Sequence, residues 1–338
     1  MLKKLKRLTA CILLAVLAVG GVRTIYPNYS QDINLRRLTL NPDNPAQRNV
    51  GALEFIAAWE LRSRNENFGG ISALTVLKGG RFVGIGDAGS LIGFGLDNDS
   101  RTTRPFIVAL PNSRGPGMSY KDRDSEGIAY DPDSGQYWVS FEHKHAIRRY
   151  APSFVRQTGI MRPREMQDWP KNKGAESIIR LHDGRFLVIA ESVDDRMHPA
   201  LLISGDPVAR GTRITPFKFR PPTGYRVTDG VQLPDGRIAI LNRSIGFPQG
   251  FSAKLSILNP QDISRDSAVS APVIAALAPP LLVDNMEGIA VTHGAKDIFL
   301  WLISDNNFSI FQRTILMKFR LPRQPDSKKP VTLPAPGF

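Results

Sequence analysis

Apolar and polar residues alternate in short runs along most of the chain, and these runs repeat as a unit. Each unit begins with an acidic residue or a polar substitute and continues as an apolar run, a turn and a second apolar run that ends in another polar residue. The leading residues recur at intervals of 50 to 58 residues and are Ser72, Glu126, Glu176, Asp229 and Glu287. A period near fifty with strands inside each unit is typical of a β-propeller and not of a helical solenoid.

The turns inside these units are typical of β-hairpins. Two of them are His182-Asp183-Gly184 and Pro234-Asp235-Gly236, and Asp-Gly between two apolar runs favours a tight turn between antiparallel strands. In such a hairpin the start of the first strand lies beside the end of the second. The expected neighbours are Glu126 with Glu142, Glu176 with Glu191, Asp229 with Asn242, and Glu287 with Asp305, while Asp87 ends the first unit. If the first strand of every blade lines the central channel, these side chains gather at one mouth of it.

The pattern predicts an all-β fold, a six-bladed β-propeller that spans residues 23–321. Five blades would contain one repeat each. The sixth would pair the C-terminal apolar run at 315–320 with strands from 35–61, so that N- and C-terminal strands close the last blade. Residues 50–61 fit either an outer strand of a blade or an amphipathic helix.

Both ends of the chain differ from the repeats. Residues 1–22 combine a basic start, an apolar run from Leu8 to Val19 and small residues after it, which is the pattern of a signal peptide. We expect a periplasmic or secreted protein with no stable membrane insertion after signal removal, although an uncleaved anchor is an alternative. The only cysteine, Cys11, lies in this segment, so a mature chain would have no disulfide or thiolate metal site. Residues 322–338 form a tail rich in proline and lysine, which we expect to be extended or disordered.

The net charge restricts the class of partner. The formal charge is +13, and four of the positive charges lie in residues 1–22. A basic surface favours small anionic substrates, above all phosphorylated ones. No basic run is interleaved with aromatic residues, so a nucleic-acid partner is not expected. We further expect a monomer.

Several repeats carry motifs of a known family. The segment Asp124-Ser125-Glu126-Gly127-Ile128 with its partner Trp138-Val139-Ser140-Phe141-Glu142, and the segment Asn285-Met286-Glu287-Gly288-Ile289 with Ser304-Asp305-Asn306-Asn307, resemble the phytase-like propeller family, also called the esterase-like activity of phytase domain. Similar matches run from about residue 70 to 321. Bacterial propeller phytases are calcium-dependent phosphatases. The resemblance therefore implies Ca²⁺ as cofactor and the hydrolysis of phosphoric esters. The chain departs from the family's acidic pattern at Ser72 and Asn242.

The repeated acids are the candidate metal ligands. Calcium binds six to eight oxygen atoms from carboxylates, carbonyls and water. The candidate ligands are Asp87, Glu126, Glu142, Glu176, Glu191, Asp229, Glu287 and Asp305. The alternative is that these acids cap strand ends and accept backbone N–H groups.

The candidate catalytic residues are Glu126, Glu176, Glu287 and Arg243. Arg243 follows the end of a second strand directly and should reach the same rim, where it would bind phosphate in bidentate fashion. A structural ion pair with a neighbouring acid is equally compatible with its position.

The remaining chemistry leaves alternatives open. His143 and His145 would share one face of a strand and could bind zinc, although an exposed hairpin edge is the more common reason for such a pair. The chain has no G-x-S-x-G motif, which argues against a serine esterase. We therefore expect a calcium-dependent phosphoric-ester hydrolase. The alternatives are a lactonase-type propeller hydrolase and a non-catalytic binding propeller that a metal stabilises.

Overall fold

The computed structural model describes residues 28–98, 101–111, 119–170, 173–191, 196–294 and 297–322. In chain order its strands are β1 (Asn34–Leu38), β2 (Asn49–Val50), β3 (Leu53–Arg62), β4 (Ile71–Val76), β5 (Phe82–Gly86), β6 (Ser90–Asp97), β7 (Arg101–Ala109), β8 (Ser125–Tyr130), β9 (Tyr137–Phe141), β10 (Ala146–Tyr150), β11 (Gln157–Met161), β12 (Ala175–Arg180), β13 (Phe186–Ala190), β14 (His198–Ile203), β15 (Ile214–Arg220), β16 (Arg226–Gln232), β17 (Ile238–Gly246), β18 (Gly250–Leu258), β19 (Ala268–Ser270), β20 (Val273–Leu277), β21 (Met286–His293), β22 (Ile298–Ser304) and β23 (Ile315–Leu321). Short 3₁₀ helices lie at Tyr120–Asp122, Pro152–Phe154, Arg164–Met166 and Pro260–Asp262.

The strands form five sheets, which are the blades of a propeller. Blade 1 consists of β4 to β7, and blade 2 of β8 to β11. Blade 3 consists of β12 to β15 with β19 at its edge, and blade 4 of β16, β17, β18 and β20. Blade 5 contains β21, β22, β23, β3 and β1 in that order, with β2 paired to β3. The inner strands β4, β8, β12, β16 and β21 each contact the next around a closed ring.

The prediction of six blades is wrong, because the strands assigned to a sixth blade complete the fifth. The C-terminal strand β23 is the third strand of blade 5, and β3 pairs with it as the fourth. Residues 53–62 are therefore an outer strand and not a helix. The N- and C-terminal segments do close a blade together, and in this closure the ring of Phe319 packs edge-on against Phe55 with centroids 5.8 Å apart.

The hydrophobic core lies between neighbouring blades. Five buried clusters each combine apolar side chains from two adjacent blades. Val83 and Ile85 of blade 1, for example, pack with Val139 and Phe141 of blade 2. Burying a large apolar side chain contributes about 1.5–3 kcal/mol, so these five interfaces hold the ring closed around its channel.

Two of the sequence predictions fall at the ends of the chain. The signal peptide at 1–22 lies outside the described residues, and so does the tail beyond residue 322. Within the described residues, no helix is long and apolar enough to span a membrane.

Candidate functional site

Each inner strand carries a one-residue bulge at the same end of the channel. In blade 2, for example, Ser125 pairs with Phe141 and Gly127 with Ser140, which leaves Glu126 unpaired between them. The same register shift occurs in the other four blades. An unpaired bulge residue is aimed differently from its neighbours on the strand. The residues at this position, which we call the bulge ring, are Ser72, Glu126, Glu176, Thr228 and Glu287.

A second ring of polar residues lies where each second strand ends. Glu142 follows β9, and its amide bonds to the carbonyl of Asp124 at the start of the inner strand. Asp87, Glu191 and Asp305 make the equivalent backbone bond in their own blades. In blade 4 the equivalent residue is Arg243, which pairs with Arg226. We call these five residues the rim ring, namely Asp87, Glu142, Glu191, Arg243 and Asp305.

Blade 4 departs from the expected register by one residue. Asn242 pairs with Val227 and not with Asp229, and Asp229 pairs with Leu241. The bulge residue of this blade is therefore Thr228, whose hydroxyl donates to the carbonyl of Met286 over 3.2 Å. Asn242 is fully buried, and its amide nitrogen donates to the carbonyls of Ile240 and Lys254. Both acidic positions of the repeat are thus occupied by other residues in this blade.

Asp229 lies one level deeper in the channel than the bulge ring. It is 2% exposed, and its carboxylate accepts the amides of Gly230 at 2.7 Å and Ile289 at 2.9 Å. Burial raises the pKa of Asp229, whereas these amides and that of Leu74 oppose the rise. Its two oxygens are engaged by three strands of the channel wall, so this contact ties blades 4, 5 and 1 together.

The two rings enclose a polar cavity at the channel mouth. Its volume is about 210 Å³, and its lining residues are Ser72, Asp87, Tyr120, Glu126, Glu176, Glu191, Arg243, Asn285, Glu287, Asp305 and Asn307. Ligand oxygens of Glu142, Glu176 and Glu191 lie within 4.8 Å of one another. The absence of a side chain at Gly174 permits this approach, because a Cβ there would lie 2.5 Å from the carbonyl oxygen of Glu142. Blades 2 and 3 therefore bring three carboxylates to one point.

Two carboxylate oxygens in this region accept no hydrogen bond from the described residues. They are Oδ1 of Asp87 and Oδ1 of Asp124, and both atoms are buried. Asp124 is 2% exposed as a whole. A buried carboxylate oxygen without a partner is costly. A bound cation would supply the missing partner, so the donor set fits a hard divalent ion such as calcium.

Burial and mutual repulsion raise the pKa values of the acids around the cavity. Burial, followed by the charge of Glu176, raises the pKa of Glu126 well above its usual range. Burial, followed by the charge of Glu191, does the same for the pKa of Glu176. The pKa of Glu142 rises to about 8, mainly through burial and then through its hydrogen bond with Asp124. Without a cation, the carboxyl group of Glu142 is therefore mostly protonated near neutral pH.

The two sides of the mouth differ in the charge at its edge. On the side of blades 5 and 1, burial and the charge of Asp305 raise the pKa of Asp87 to about 7. Burial also raises the pKa of Glu287 to about 7, and Arg243 opposes that rise. The hydroxyl of Tyr120 lies beside Asp87 and Asp124. Burial, followed by its hydrogen bond with Asp124 and then by the charges of both acids, raises the pKa of Tyr120 well above its usual range.

Three cations lie on the side of blades 3 and 4. Nη1 of Arg243 donates to Oδ1 of Asn285 at 2.6 Å and lies 3.3 Å from Oε1 of Glu287. Glu191 binds Nζ of Lys173 at 3.1 Å through one oxygen and Nη1 of Arg226 at 2.7 Å through the other. Among the described residues that line the cavity, Arg243 is the only cation, and it lies on the side of blade 4. This asymmetry would orient an anion that also contacts a bound metal.

The predicted histidine pair is not on a strand. His143 and His145 lie in the turn between β9 and β10, where His145 has a positive φ of 44°. Nδ1 of His143 bonds to Asp124 and lies 3.1 Å from Oε2 of Glu142. His145 instead packs edge-on against Trp169. Only His143 belongs to the site, where it bridges two acids.

Sequence reasoning missed several residues of the site. Asp124 and Asn285 occupy the position just before the inner strand in their blades, and Tyr120 precedes Asp124 by one helical turn. Thr228 was also missed, because the sequence pattern indicated its neighbour Asp229 as the leading residue of the unit. The spacing is the signal that could have identified it, because 15 residues separate Thr228 from Arg243, as they separate Ser72 from Asp87 and Glu176 from Glu191.

Known proteins can be compared with this fold and site. The family model described as Phytase-like, Esterase-like activity of phytase, matches residues 66–308. The chain belongs to the phytase-like family. Membership suggests a hydrolase-type propeller, and the matched range contains both rings. Among curated proteins, none matches the chain.

Two solved structures are similar in outline. One is the hydrazine synthase of Kuenenia stuttgartiensis, with 14% identity, coverage of 85% of this chain and 80% of that chain, and a TM-score of 0.39. The other is the β-propeller domain of Myceliophteria thermophila Cps50 (Swd1), with 11% identity, coverage of 87% and 98%, and a TM-score of 0.39. At these values neither structure bears on the function of this chain.

Proposed function

We propose that this protein is a calcium-dependent hydrolase of phosphoric esters. The observation that carries the proposal is the composition of the rim ring, in which four positions are acidic and the fifth is Arg243. An all-acidic ring would bind metal ions but repel a phosphate. A guanidinium in the same ring provides two parallel N–H donors for phosphate oxygens beside the metal ligands.

The acids nearest the cavity would hold the metal. Glu142, Glu176 and Glu191 converge within 4.8 Å, and Asp87 and Asp124 offer buried oxygens that lack hydrogen bonds within the described residues. Calcium bound there would supply positive charge that offsets both the carboxylates and the phosphate. It would also lower the raised pKa values of these acids by stabilising their ionised forms.

The side chains around the cavity have distinct roles in the proposed hydrolysis. Arg243 binds and orients the phosphate, and Glu287 holds the guanidinium in place through the ion pair at 3.3 Å. Glu126 and Glu176 line the floor of the cavity, where an ionised carboxylate can accept the proton of the attacking water. The pKa of Glu142 is about 8 only without a metal, and bound calcium would keep this carboxylate ionised as a ligand. The departing alcohol would therefore take up the proton that the base has accepted from the water.

The site of action is part of the same proposal. The signal-like pattern of residues 1–22 supports export from the cytoplasm. Free calcium is far more abundant outside cells than inside, and extracellular sites can therefore bind it weakly and still be occupied. Export and calcium dependence are thus mutually consistent.

The test is the release of inorganic phosphate by the purified protein. Aryl and alkyl phosphomonoesters and diesters should be hydrolysed with added calcium, and EDTA should abolish turnover reversibly. A panel of lactones in the same buffer addresses the lactonase alternative. Turnover of lactones alone, or a rise in melting temperature with calcium and no turnover of any ester, would contradict the proposal and favour the lactonase or the non-catalytic binding propeller respectively.

A further inference from the structure

Two loops at the channel mouth carry large apolar side chains that are almost completely exposed. Phe247, in the turn between β17 and β18, is 98% exposed, and Ile310 and Phe311, in the loop between β22 and β23, are 92% and 89% exposed. No other large apolar side chain of the described residues is as exposed as these three. Leaving such groups in water gives up the stability that their burial would contribute.

Both loops begin at the rim ring and belong to neighbouring blades. Strand β17 passes through Arg243 and continues to Ile245, which is 67% exposed. Side chains two residues apart on a strand lie on the same face of the sheet, so Ile245 is on the Arg243 face of blade 4. In blade 5 the loop follows Asp305, and its Phe308 packs beside Gly70, whose carbonyl accepts the amide of Asp87. The apolar tips therefore continue directly from the cavity wall.

The other described turns at this mouth have a different character. The turn after β5 is Asp87-Ala88-Gly89, and the turn after β9 is Glu142-His143-Lys144-His145. Both are short and polar or small. By contrast, residues 244–253 and 306–314 contain no aspartate or glutamate. Among the described turns that join a second to a third strand, those of blades 4 and 5 are thus the apolar, acid-free ones, and they lie beside the polar cavity.

We propose that these two loops bind the apolar part of the substrate, so that the substrate is a phosphate ester of an alcohol with a long alkyl chain. The inference rests on the proposed phosphoesterase function and specifies its substrate class. The phosphate would bind at Arg243 while the chain lies between Phe247 and Phe311. A second copy of the protein is the less suitable occupant, since stable protein interfaces use roughly 20–30 residues on each side, whereas two loop tips present only a few side chains.

The length of the substrate's alkyl chain is the variable that tests this proposal. The probes are n-alkyl phosphates from ethyl to octyl, used below their critical micelle concentrations with saturating calcium. Full burial of each added methylene corresponds to about a fourfold gain in affinity, so kcat/KM should rise by about two- to fourfold per methylene. Binding of the matching n-alkyl phosphonates, measured by calorimetry, should follow the same trend without requiring turnover.

Substitutions at the loop tips should reduce this dependence. In Phe247→Ser and Phe311→Ser the loss of affinity should grow with the length of the alkyl chain and reach about tenfold for octyl phosphonate. Val155→Ser is the matched control, because Val155 is 71% exposed and follows β10 at the opposite end of the propeller. In this variant, affinity should rise with alkyl length as steeply as in the wild type. Unchanged circular dichroism and melting temperature would show that all three variants are folded.

Distinct outcomes would contradict the two proposals. If no phosphoester is hydrolysed, the proposed function fails, and phosphonate binding still reports on the loops. If esters are hydrolysed but kcat/KM does not change with alkyl length, the loop inference is wrong. It is also wrong if Phe247→Ser and Val155→Ser show the same dependence of affinity on alkyl length. A third outcome is that kcat/KM for the soluble alkyl phosphates does not change with alkyl length, while the protein binds phosphatidylcholine vesicles and Phe247→Ser abolishes that binding. This outcome would assign the loops to bilayer docking and overturn the substrate proposal.

Discussion

Nη1 of Arg243 lies 3.3 Å from Oε1 of Glu287, and this ion pair joins the rim ring of blade 4 to the bulge ring of blade 5. The two side chains are 24% and 13% exposed, so solvent screens their interaction only in part. The contact explains why the pKa of Glu287 rises only to about 7 despite its burial. It also leaves the remaining donors of the guanidinium available to a ligand in the cavity.

Replacing Arg243 should therefore impair catalysis more than folding. Arg243→Ala removes a bidentate phosphate donor, and we expect kcat/KM for phosphomonoesters to fall roughly hundredfold, as is usual when a charge-stabilising donor is lost. Arg243→Lys should restore only part of the activity, since lysine lacks the fork geometry. Arg237→Ala is the control, because Arg237 forms a similar ion pair with Asp235 in the hairpin turn at the other end of blade 4. Equal losses in both variants would contradict a specific role for Arg243.

Glu126 and Glu176 should act as one unit in metal binding. The charge of Glu176 contributes to the raised pKa of Glu126, so the two carboxylates already interact without a metal. We expect Glu126→Gln and Glu176→Gln each to weaken calcium binding by about tenfold or more. The double variant should weaken it by less than the product of the two effects, because residues coupled through one site are not additive.

Calorimetric titration of the two single variants and the double variant measures this coupling. Asp235→Asn serves as the control, since it removes an acid from a hairpin turn at the far end of the same propeller. Additive losses of stability with undiminished calcium affinity would show that both residues only cap their strands.

The sequence predicted the architecture of the site more accurately than its register. Alternating runs and Asp-Gly turns correctly indicated hairpins whose acidic ends meet at one mouth. The register of blade 4 was obscured because Asp229-Gly230 imitates Glu126-Gly127 and Glu287-Gly288. A bulge adds one residue to the inner strand only, and no local preference marks which residue it displaces. The resemblance in letters therefore placed Asp229 where the structure has Thr228.

The number of blades was not predictable from the repeat for a different reason. Five units were correctly counted, but the outer strands of the last unit come from the other end of the chain. Strand β3 lies more than 250 residues before its partner β23. Neither segment has a periodicity that assigns it to an existing blade or to a new one. Only the packing of five core clusters, each between two neighbouring blades, decides between these alternatives.

Asp229 should contribute to stability and not to metal affinity. Its oxygens accept backbone amides of Gly230 and Ile289, and Asp229→Asn would turn an NH₂ group toward one of these donors. Loss of a buried acceptor costs about 1–3 kcal/mol, so urea denaturation should show a free energy of unfolding lower by that amount. Calcium affinity of the folded variant should match the wild type. Reduced affinity at unchanged stability would instead identify Asp229 as a ligand, as the sequence pattern first indicated.

The metal-free protein should lose stability as the pH rises from about 5 to about 8.5. The pKa values of Asp87, Glu142 and Glu287 are about 7, 8 and 7 in the fold, against 3.8, 4.5 and 4.5 ordinarily. Above pH 5 the unfolded chain has released these protons while the folded protein still holds them, so stability declines until the folded groups have also ionised. Other acids have a lowered pKa, such as Asp131 through its hydrogen bonds with Ser134 and Asp183 through its hydrogen bond with Arg185. They titrate below this range and do not offset the decline.

Calcium should reverse this dependence, because the ion stabilises the ionised acids and binds only to the folded state. Urea denaturation midpoints at pH 5 and 8.5, each with EDTA and with excess calcium, provide the measurement. We expect a lower midpoint at pH 8.5 with EDTA and a larger gain from calcium at pH 8.5 than at pH 5. Magnesium at the same concentration is the control, since it prefers a smaller and more rigid octahedral shell than this broad ring of carboxylates offers. A metal-free protein that is equally stable at both pH values would show that burial and mutual repulsion do not raise the pKa values of these acids as the structure requires.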